Sequence, residues 1–161
     1  MQPGALAFIL FLILQRLTEL AIAQRNTRRL LARGAVEHGA GHYPLIVLLH
    51  VCWLLAIAVL GRNNPVHLPW LALFALLQLA RIWVLVSLGP RWTTRIIVLD
   101  APLVKRGPYR LIRHPNYAVV VAEIFVAPMV LGLWQVALLF TVLNAAVLAI
   151  RIRAESRALG F

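Results

Sequence analysis

Residues Leu68–Leu88 read LPWLALFALLQLARIWVLVSL, an apolar run interrupted by Gln78, Arg81 and Ser87. A transmembrane helix needs about 20 predominantly apolar residues, so this run predicts a membrane-spanning helix. The rest of the chain agrees, because 62% of its 161 residues are hydrophobic and its mean hydropathy is +0.86. Only 13% of the residues are charged, whereas soluble domains carry about 25%. We therefore expect an integral membrane protein.

Four further stretches have a similar length and composition. They are Ala5–Ala23, Tyr43–Leu60, Tyr117–Leu133 and Trp134–Ile150. The last two are short and joined by a tight turn around Gly132, which predicts a helical hairpin that need not reach the full depth of the bilayer. We predict an all-α fold, a bundle of five transmembrane helices in one membrane-embedded domain over residues 1–161. Residues 1–88 would hold three spans, and residues 89–161 a long loop, the hairpin and a C-terminal motif.

The basic residues predict the orientation of the bundle. Thirteen Lys and Arg residues fall in the segments on one side of the predicted spans, and Arg62 falls on the other. Since cytoplasmic loops are enriched in Lys and Arg, we expect the N-terminus outside and the C-terminus in the cytoplasm. The connection Gly89–Asn116, the longest in the chain, would then be the active face at the cytoplasmic side of a bacterial inner membrane.

The net charge of +11 indicates which partners the chain attracts. Because the arginines flank apolar runs, the expected counter-charge is the anionic headgroups of membrane lipids, and no nucleic acid is expected. Cys52 is the one cysteine in the sequence, which excludes a disulfide framework and a thiolate zinc site. His38 and His42 are four residues apart but separated by two glycines. We interpret them as part of a loop, and we expect no metal.

Charged side chains inside the predicted spans are costly and normally face the bundle interior. Arg16 and Glu19 lie one turn apart in the first span, which predicts an ion pair. Arg81 is expected to extend toward the cytoplasmic interface. Glu123 is a carboxylate without a charged neighbour at helical spacing in its own segment. Two roles stay open for it, a site residue or a hydrogen-bonded packing residue.

The densest polar cluster is Lys105–Glu123, KRGPYRLIRHPNYAVVVAE. Pro115 suits the first turn of the fourth helix, which places His114 at the helix N-terminus. Free backbone N–H groups and the helix dipole favour an anion there, and Lys105, Arg110 and Arg113 surround the point. The cluster predicts a small anion-binding cradle at the cytoplasmic lip of the bundle.

The last helix supplies a second part of this site. Asn144, Arg151 and Glu155 follow at spacings of seven and four residues and so lie on one helix face. The simplest alternative is a surface ion pair between Arg151 and Glu155. Beside the cradle, however, the carboxylate would hold an ammonium while the arginines hold a carboxylate, which is complementary to an amino acid headgroup.

These motifs resemble a known family. GPYRLIRHPNY, a hydrophobic hairpin and then RIRAE resemble the isoprenylcysteine carboxyl methyltransferase family of integral membrane enzymes. QRLTELAIAQRN, GAVEHGAGHYPLIVLLH and SLGPRWTTRIIVL are similar to its bacterial branch of alkylpyrone and alkylresorcinol O-methyltransferases. The resemblance implies S-adenosylmethionine in a cytoplasm-facing pocket and a lipophilic small-molecule substrate that enters from the bilayer.

The resemblance also implies which residues form the site. The cofactor-binding residues would be Val104, Gly107, Tyr109, Arg113, His114, Pro115, Tyr117 and Glu155. Asn116, Glu123 and Arg151 would be catalytic and orient the acceptor. Ser156 stands where the family usually has a second acidic residue, so that role is not carried over. The alternatives are carboxyl methylation of an isoprenylcysteine-like substrate, N-methylation of an aminolipid, or a small membrane transporter or lipid-binding protein.

Overall fold

The computed structural model describes residues 1–160, and most of them are helical. The helices are α1 (Pro3–Ala32), α2 (Tyr43–Gly61), α3 (Leu68–Leu88), α4 (Pro115–Val130) and α5 (Trp134–Leu159). Two short strands are β1 (Val36–His38) and β2 (Ile96–Val98), and 3-10 turns cover Ala40–His42, Gly89–Arg91 and Gly107–Arg110. Phe161, the end of the predicted domain, lies outside the described residues.

Four helices in the described part of the chain are long and apolar enough to cross a membrane: α1, α2, α3 and α5. The fourth helix in sequence, α4, has 16 residues. At about 1.5 Å per residue it is shorter than the hydrocarbon core of a bilayer, which is about 30 Å thick. All five predicted helices are present, but the structure gives four of full spanning length.

Other parts of the protein pack around helix α4 and hydrogen-bond its C-terminal end. It packs against α3 and α5, and the α2–α3 connection covers its C-terminal end. There the His67 N–H donates to the Val130 carbonyl at 2.8 Å, and Asn64 Nδ2 donates to the Leu131 carbonyl at 2.9 Å. A helix can end inside a membrane when its terminal backbone groups are hydrogen-bonded by protein. The predicted span Tyr117–Leu133 therefore extends beyond the C-terminal end of the helix.

Two helices are longer than their predicted spans. Helix α1 continues nine residues past Ala23, and α5 continues nine residues past Ile150. The end of an apolar run marks where a helix leaves the membrane, but not where the helix ends. Good helix formers such as Gln, Arg, Leu and Ala can continue the helix into water. The hairpin prediction holds for the connection between α4 and α5, but α5 is not a short helix.

The all-α prediction omitted a small antiparallel sheet. Strand β1 pairs with β2, with Val36 opposite Val98. The Arg95 guanidinium bonds the Glu37 carboxylate at 2.7 Å and lies 4.2 Å from the centre of the Tyr43 ring. The segment around His38 is therefore partly a strand, and not only a loop as predicted. The sheet fastens the long α3–α4 connection to the α1–α2 connection.

The core has three layers along the helix axes. A large apolar cluster includes Phe8, Trp53, Phe74 and Ile124, and a smaller one near the long connection includes Val84. In α1, α3 and α4, polar side chains separate the two clusters. This polar layer consists of Gln15, Arg16, Glu19, Gln78, Arg81 and Glu123. Many leucines and valines on the outer faces stay exposed, as expected for a surface that contacts lipid.

Candidate functional site

The polar layer is a buried network of salt bridges and hydrogen bonds. Glu123 is fully buried and accepts hydrogen bonds from Arg81 Nε at 2.8 Å, Gln78 Nε2 at 3.0 Å and Arg16 Nη2 at 2.9 Å. Arg81 also bonds Glu123 through Nη2. Glu19 pairs with Arg16 and with Arg81, each at 3.3 Å. Two arginines thus balance two glutamates in the middle of the bundle.

This network corrects one sequence-based prediction and confirms another. Arg81 does not extend toward the interface: its side chain is 4% exposed and holds Glu123 and Glu19. The predicted Arg16–Glu19 pair is present. The sequence could not show that α1 and α3 bring two cations to Glu123, since the three residues lie far apart along the chain.

A cavity of about 390 Å³ opens beside the N-terminus of α4, and we call it the lip cavity. Its volume lies within the range of about 300–1,000 Å³ that is usual for ligand sites. Eight of the eleven predicted site residues line it: Val104, Tyr109, Arg113, His114, Asn116, Tyr117, Arg151 and Glu155. The rest of its wall comes from the long connection, which includes β2, and from the C-terminal ends of α1, α3 and α5.

Gly107, Pro115 and Glu123 do not line the lip cavity. Gly107 has a φ of +57°, and a Cβ there would lie 2.1 Å from Ser87 Oγ, so this glycine allows the turn to pack against α3. Pro115 is buried in the first turn of α4, and Glu123 belongs to the polar layer. Lys105 lines the cavity as the cradle hypothesis requires, whereas Arg110 does not.

The floor of the lip cavity joins α4 to α5. His114 Nδ1 lies 3.4 Å from Glu155 Oε2, and the His114 ring stacks on Tyr117 with centroids 5.4 Å apart. Burial raises the pKa of Tyr109, which therefore stays a neutral phenol. The cavity combines a carboxylate, cations at its mouth and aromatic walls.

A second cavity, of about 260 Å³, lies between α1, α2 and α5, and we call it the groove. Its outer wall consists of exposed apolar side chains, including Leu17, Leu20, Val47 and Val51. Its inner wall is polar and includes Arg16, Glu19, His50, Arg81 and Asn144. The groove therefore combines an exposed apolar rim with a polar interior.

The two cavities share one wall. Trp92, Thr93, Asn116, Tyr117 and Arg151 line both of them. Arg151 Nε donates to the Tyr117 hydroxyl at 2.9 Å, and Arg151 Nη2 donates to the Thr94 carbonyl. The side-chain oxygen of Asn116 is buried without a hydrogen-bond partner in residues 1–160. A ligand in each cavity would meet the other at this wall.

Sequence reasoning missed the segment Trp92–Thr94 as part of the site. Asn26 of α1 fixes this segment, because its Nδ2 donates to the Trp92 carbonyl at 2.8 Å. Tyr43 also contacts it, with its hydroxyl 3.0 Å from Thr94 Oγ1. The Thr94 contact to Arg151 uses a backbone carbonyl, so the residue type gave no signal. The aromatic and hydroxyl run WTT was the clue that the sequence offered.

Comparison with known proteins agrees with the motifs. Residues 70–160 match the isoprenylcysteine carboxyl methyltransferase (ICMT) family. The chain is 41% identical over 157 residues to the uncharacterized protein YpbQ of Bacillus subtilis, with 94% of each chain covered. It is 26% identical over 152 residues to an uncharacterized protein of Haemophilus influenzae, covering 89% of this chain and 88% of that one. No solved structure gives a significant match. The family match covers the cradle, the hairpin and the C-terminal motif, and the chain belongs to the isoprenylcysteine carboxyl methyltransferase family.

Proposed function

We propose that this chain is an integral membrane, S-adenosylmethionine-dependent methyltransferase that O-methylates a lipophilic small molecule such as an alkylpyrone or alkylresorcinol. The observation that carries the proposal is the shared wall between a polar cavity and a lipid-facing groove. Two reactants of opposite solubility need two entrances and one meeting point. Asn116, Tyr117 and Arg151 stand at that point.

The lip cavity fits the cofactor by the chemistry of its side chains. Glu155 Oε2 is buried without a hydrogen-bond donor in the described residues, and His114 Nδ1 lies near it. An ammonium group would supply the missing donor. Lys105 and Arg113 at the mouth suit a carboxylate, and Tyr109 and Tyr117 suit an adenine ring. S-adenosylmethionine supplies an electrophilic methyl group on a sulfonium that loses its charge on transfer.

The protein's contribution is alignment and exclusion of water. Arg151 is 7% exposed and rigidly held by Tyr117 and Thr94, so its charge can stabilise an acceptor oxyanion without reorganisation. Positioning two reactants in this way can account for much of the rate of a bimolecular transfer. Glu123 does not reach the wall, and in this proposal it acts at a distance by fixing Arg16 and Arg81.

We also propose that the lip cavity faces the cytoplasm of a bacterial inner membrane and that the acceptor enters the groove laterally. The thirteen basic residues that the sequence places on one side support this orientation. The exposed Leu17 and Val51 at the groove support lateral entry, because an acyl tail can stay in lipid while the polar head reaches the wall.

Cofactor binding tests the proposal. Titration calorimetry of the purified protein in detergent should give a micromolar dissociation constant for S-adenosylmethionine, in the usual range of about 1 μM–1 mM for enzyme ligands. His114→Ala and Glu155→Gln should each weaken binding by about 10- to 100-fold, since each leaves a buried polar partner unsatisfied. Arg157→Gln, at an exposed position on the same helix as Glu155, is the matched control and should bind normally.

A small transporter or lipid-binding protein would show no affinity for the cofactor. That result would remove the proposed function. Normal binding by both cavity variants, with binding by the wild type, would instead move the cofactor away from the lip cavity.

A further inference from the structure

The inner end of the groove holds an amide with no partner. Asn144 on α5 is 5% exposed, and its Nδ2 makes no hydrogen bond with any described residue. Arg16 Nε, also at the groove, is buried and unpartnered in the same way. Buried donors in folded proteins almost always have partners. Two unused donors along one cavity therefore indicate a ligand that brings hydrogen-bond acceptors.

Asn144 lies deeper in the bundle than the shared wall. It precedes Arg151 by two helical turns on the same face, which is roughly 10 Å along the axis, and both residues line the groove. If the polar head group of the methyl acceptor places one oxygen at Arg151, the far side of that head group points toward Asn144. The second oxygen of the head is then the group that Nδ2 can bind.

The groove also lacks a free base at the shared wall, among the residues that the structure describes. Glu19, the carboxylate that lines the groove, is paired with Arg16 and Arg81. His50 lines the groove but not the lip cavity, and its Nδ1 lies 2.9 Å from the Ile46 carbonyl. A hydroxyl that is methylated beside Arg151 therefore has no basic side chain of the shared wall next to it, and conjugation to a carbonyl is the simplest way to acidify such a hydroxyl.

Both observations lead to the same chemistry, one through an unused donor and the other through the missing base. We propose that Asn144 is a specificity-determining residue, which donates a hydrogen bond from Nδ2 to a carbonyl oxygen of the acceptor. The enzyme then selects lipids whose methylated hydroxyl is conjugated to a carbonyl, in preference to simple phenols. This inference rests on the proposed methyltransferase function and narrows its acceptor class.

The test uses two probes of equal chain length, an alkylpyrone with a free enolic hydroxyl and a 3-alkylphenol with a single hydroxyl. The wild type should have the higher kcat/KM for the pyrone. Asn144→Leu and the smaller change Asn144→Ser should lower kcat/KM for the pyrone by about 10- to 100-fold, the effect of one buried hydrogen bond. The value for the alkylphenol should change by less than about three-fold, because a monophenol has no second oxygen for the amide to bind.

Thr141→Val is the matched control. Thr141 Oγ1 is another buried, unpartnered polar atom on α5, one turn from Asn144, but it does not line the groove. This variant should keep the wild-type preference. The dissociation constant for S-adenosylmethionine, measured on each variant, shows that the fold and the lip cavity are intact.

The possible results separate the two proposals. An equal loss on both probes in the Asn144 variants, with normal cofactor binding, would overturn the role of Asn144 and leave the methyltransferase function in place. Equal or lower use of the pyrone by the wild type, no use included, would overturn the acceptor class. Absence of cofactor binding in the wild type would overturn the proposed function and this inference together.

Discussion

Glu123→Gln is expected to destabilise the protein strongly, by about 3–5 kcal/mol, the usual effect of breaking a buried ion pair. The substitution leaves Arg16 and Arg81 as two buried cations opposite Glu19 alone. The loss should appear as a lower melting temperature of the detergent-solubilised protein. A second substitution, Arg81→Gln, removes the surplus charge and should restore part of the lost stability.

Glu37→Gln provides the matched control. Glu37 pairs with Arg95 where both side chains are partly exposed, and pairs of that kind contribute at most about 1 kcal/mol. If Glu123→Gln melted like the wild type but had lost activity, Glu123 would orient the acceptor as the sequence predicted. If Arg81→Gln, added to Glu123→Gln, lowered the melting temperature further, charge balance would not explain the stability of the polar layer.

Arg151→Lys is expected to lower kcat by about 10²- to 10³-fold, comparable to the loss of one preorganised donor at a developing oxyanion. Lysine keeps the charge, but it cannot hold the Tyr117 hydroxyl and the Thr94 carbonyl at the same time, as the Arg151 guanidinium does. The measurement is a steady-state methylation assay. Cofactor affinity should fall much less than kcat, because Arg151 is only one part of the lip cavity wall.

Arg153→Lys tests whether this effect belongs to the site. Arg153 is exposed two residues further along α5 and should tolerate the change. If Arg151→Lys and Arg153→Lys had the same kcat, Arg151 would be a structural link between α5 and the long connection, without a part in catalysis.

The sequence predicted most of the lip cavity because its residues cluster in two short motifs. Spacing alone placed His114 at the start of α4 and Glu155 on the face of α5 that meets it, and these residues do lie together. Gly107 was assigned to the cofactor, but the structure shows a packing role. Glycine signals a close approach, and the sequence does not say whether a ligand or Ser87 is approached.

The groove and the polar layer could not be predicted in this way. They depend on helices that are distant in sequence: Arg16 pairs with Glu123, and Asn144 lines one cavity with residues of α1 and α2. Hydropathy predicted that each of the five helices exists, but it did not predict the lengths of α1, α4 and α5. Hydropathy measures the preference of side chains for lipid, whereas backbone hydrogen bonding decides where a helix ends. The small sheet was missed for a related reason, because β1 and β2 have three residues each and show no periodicity.

In the proposed reaction, methyl groups pass from the lip cavity to the groove at the shared wall. The most direct measurement is transfer of an isotopically labelled methyl group from S-adenosylmethionine to an alkylpyrone or alkylresorcinol by purified protein in lipid vesicles. Label should appear in the organic extract with the wild type, and should be reduced by about 100-fold or more with Arg151→Lys. Cofactor that binds normally while no label reaches any lipophilic acceptor would contradict the account.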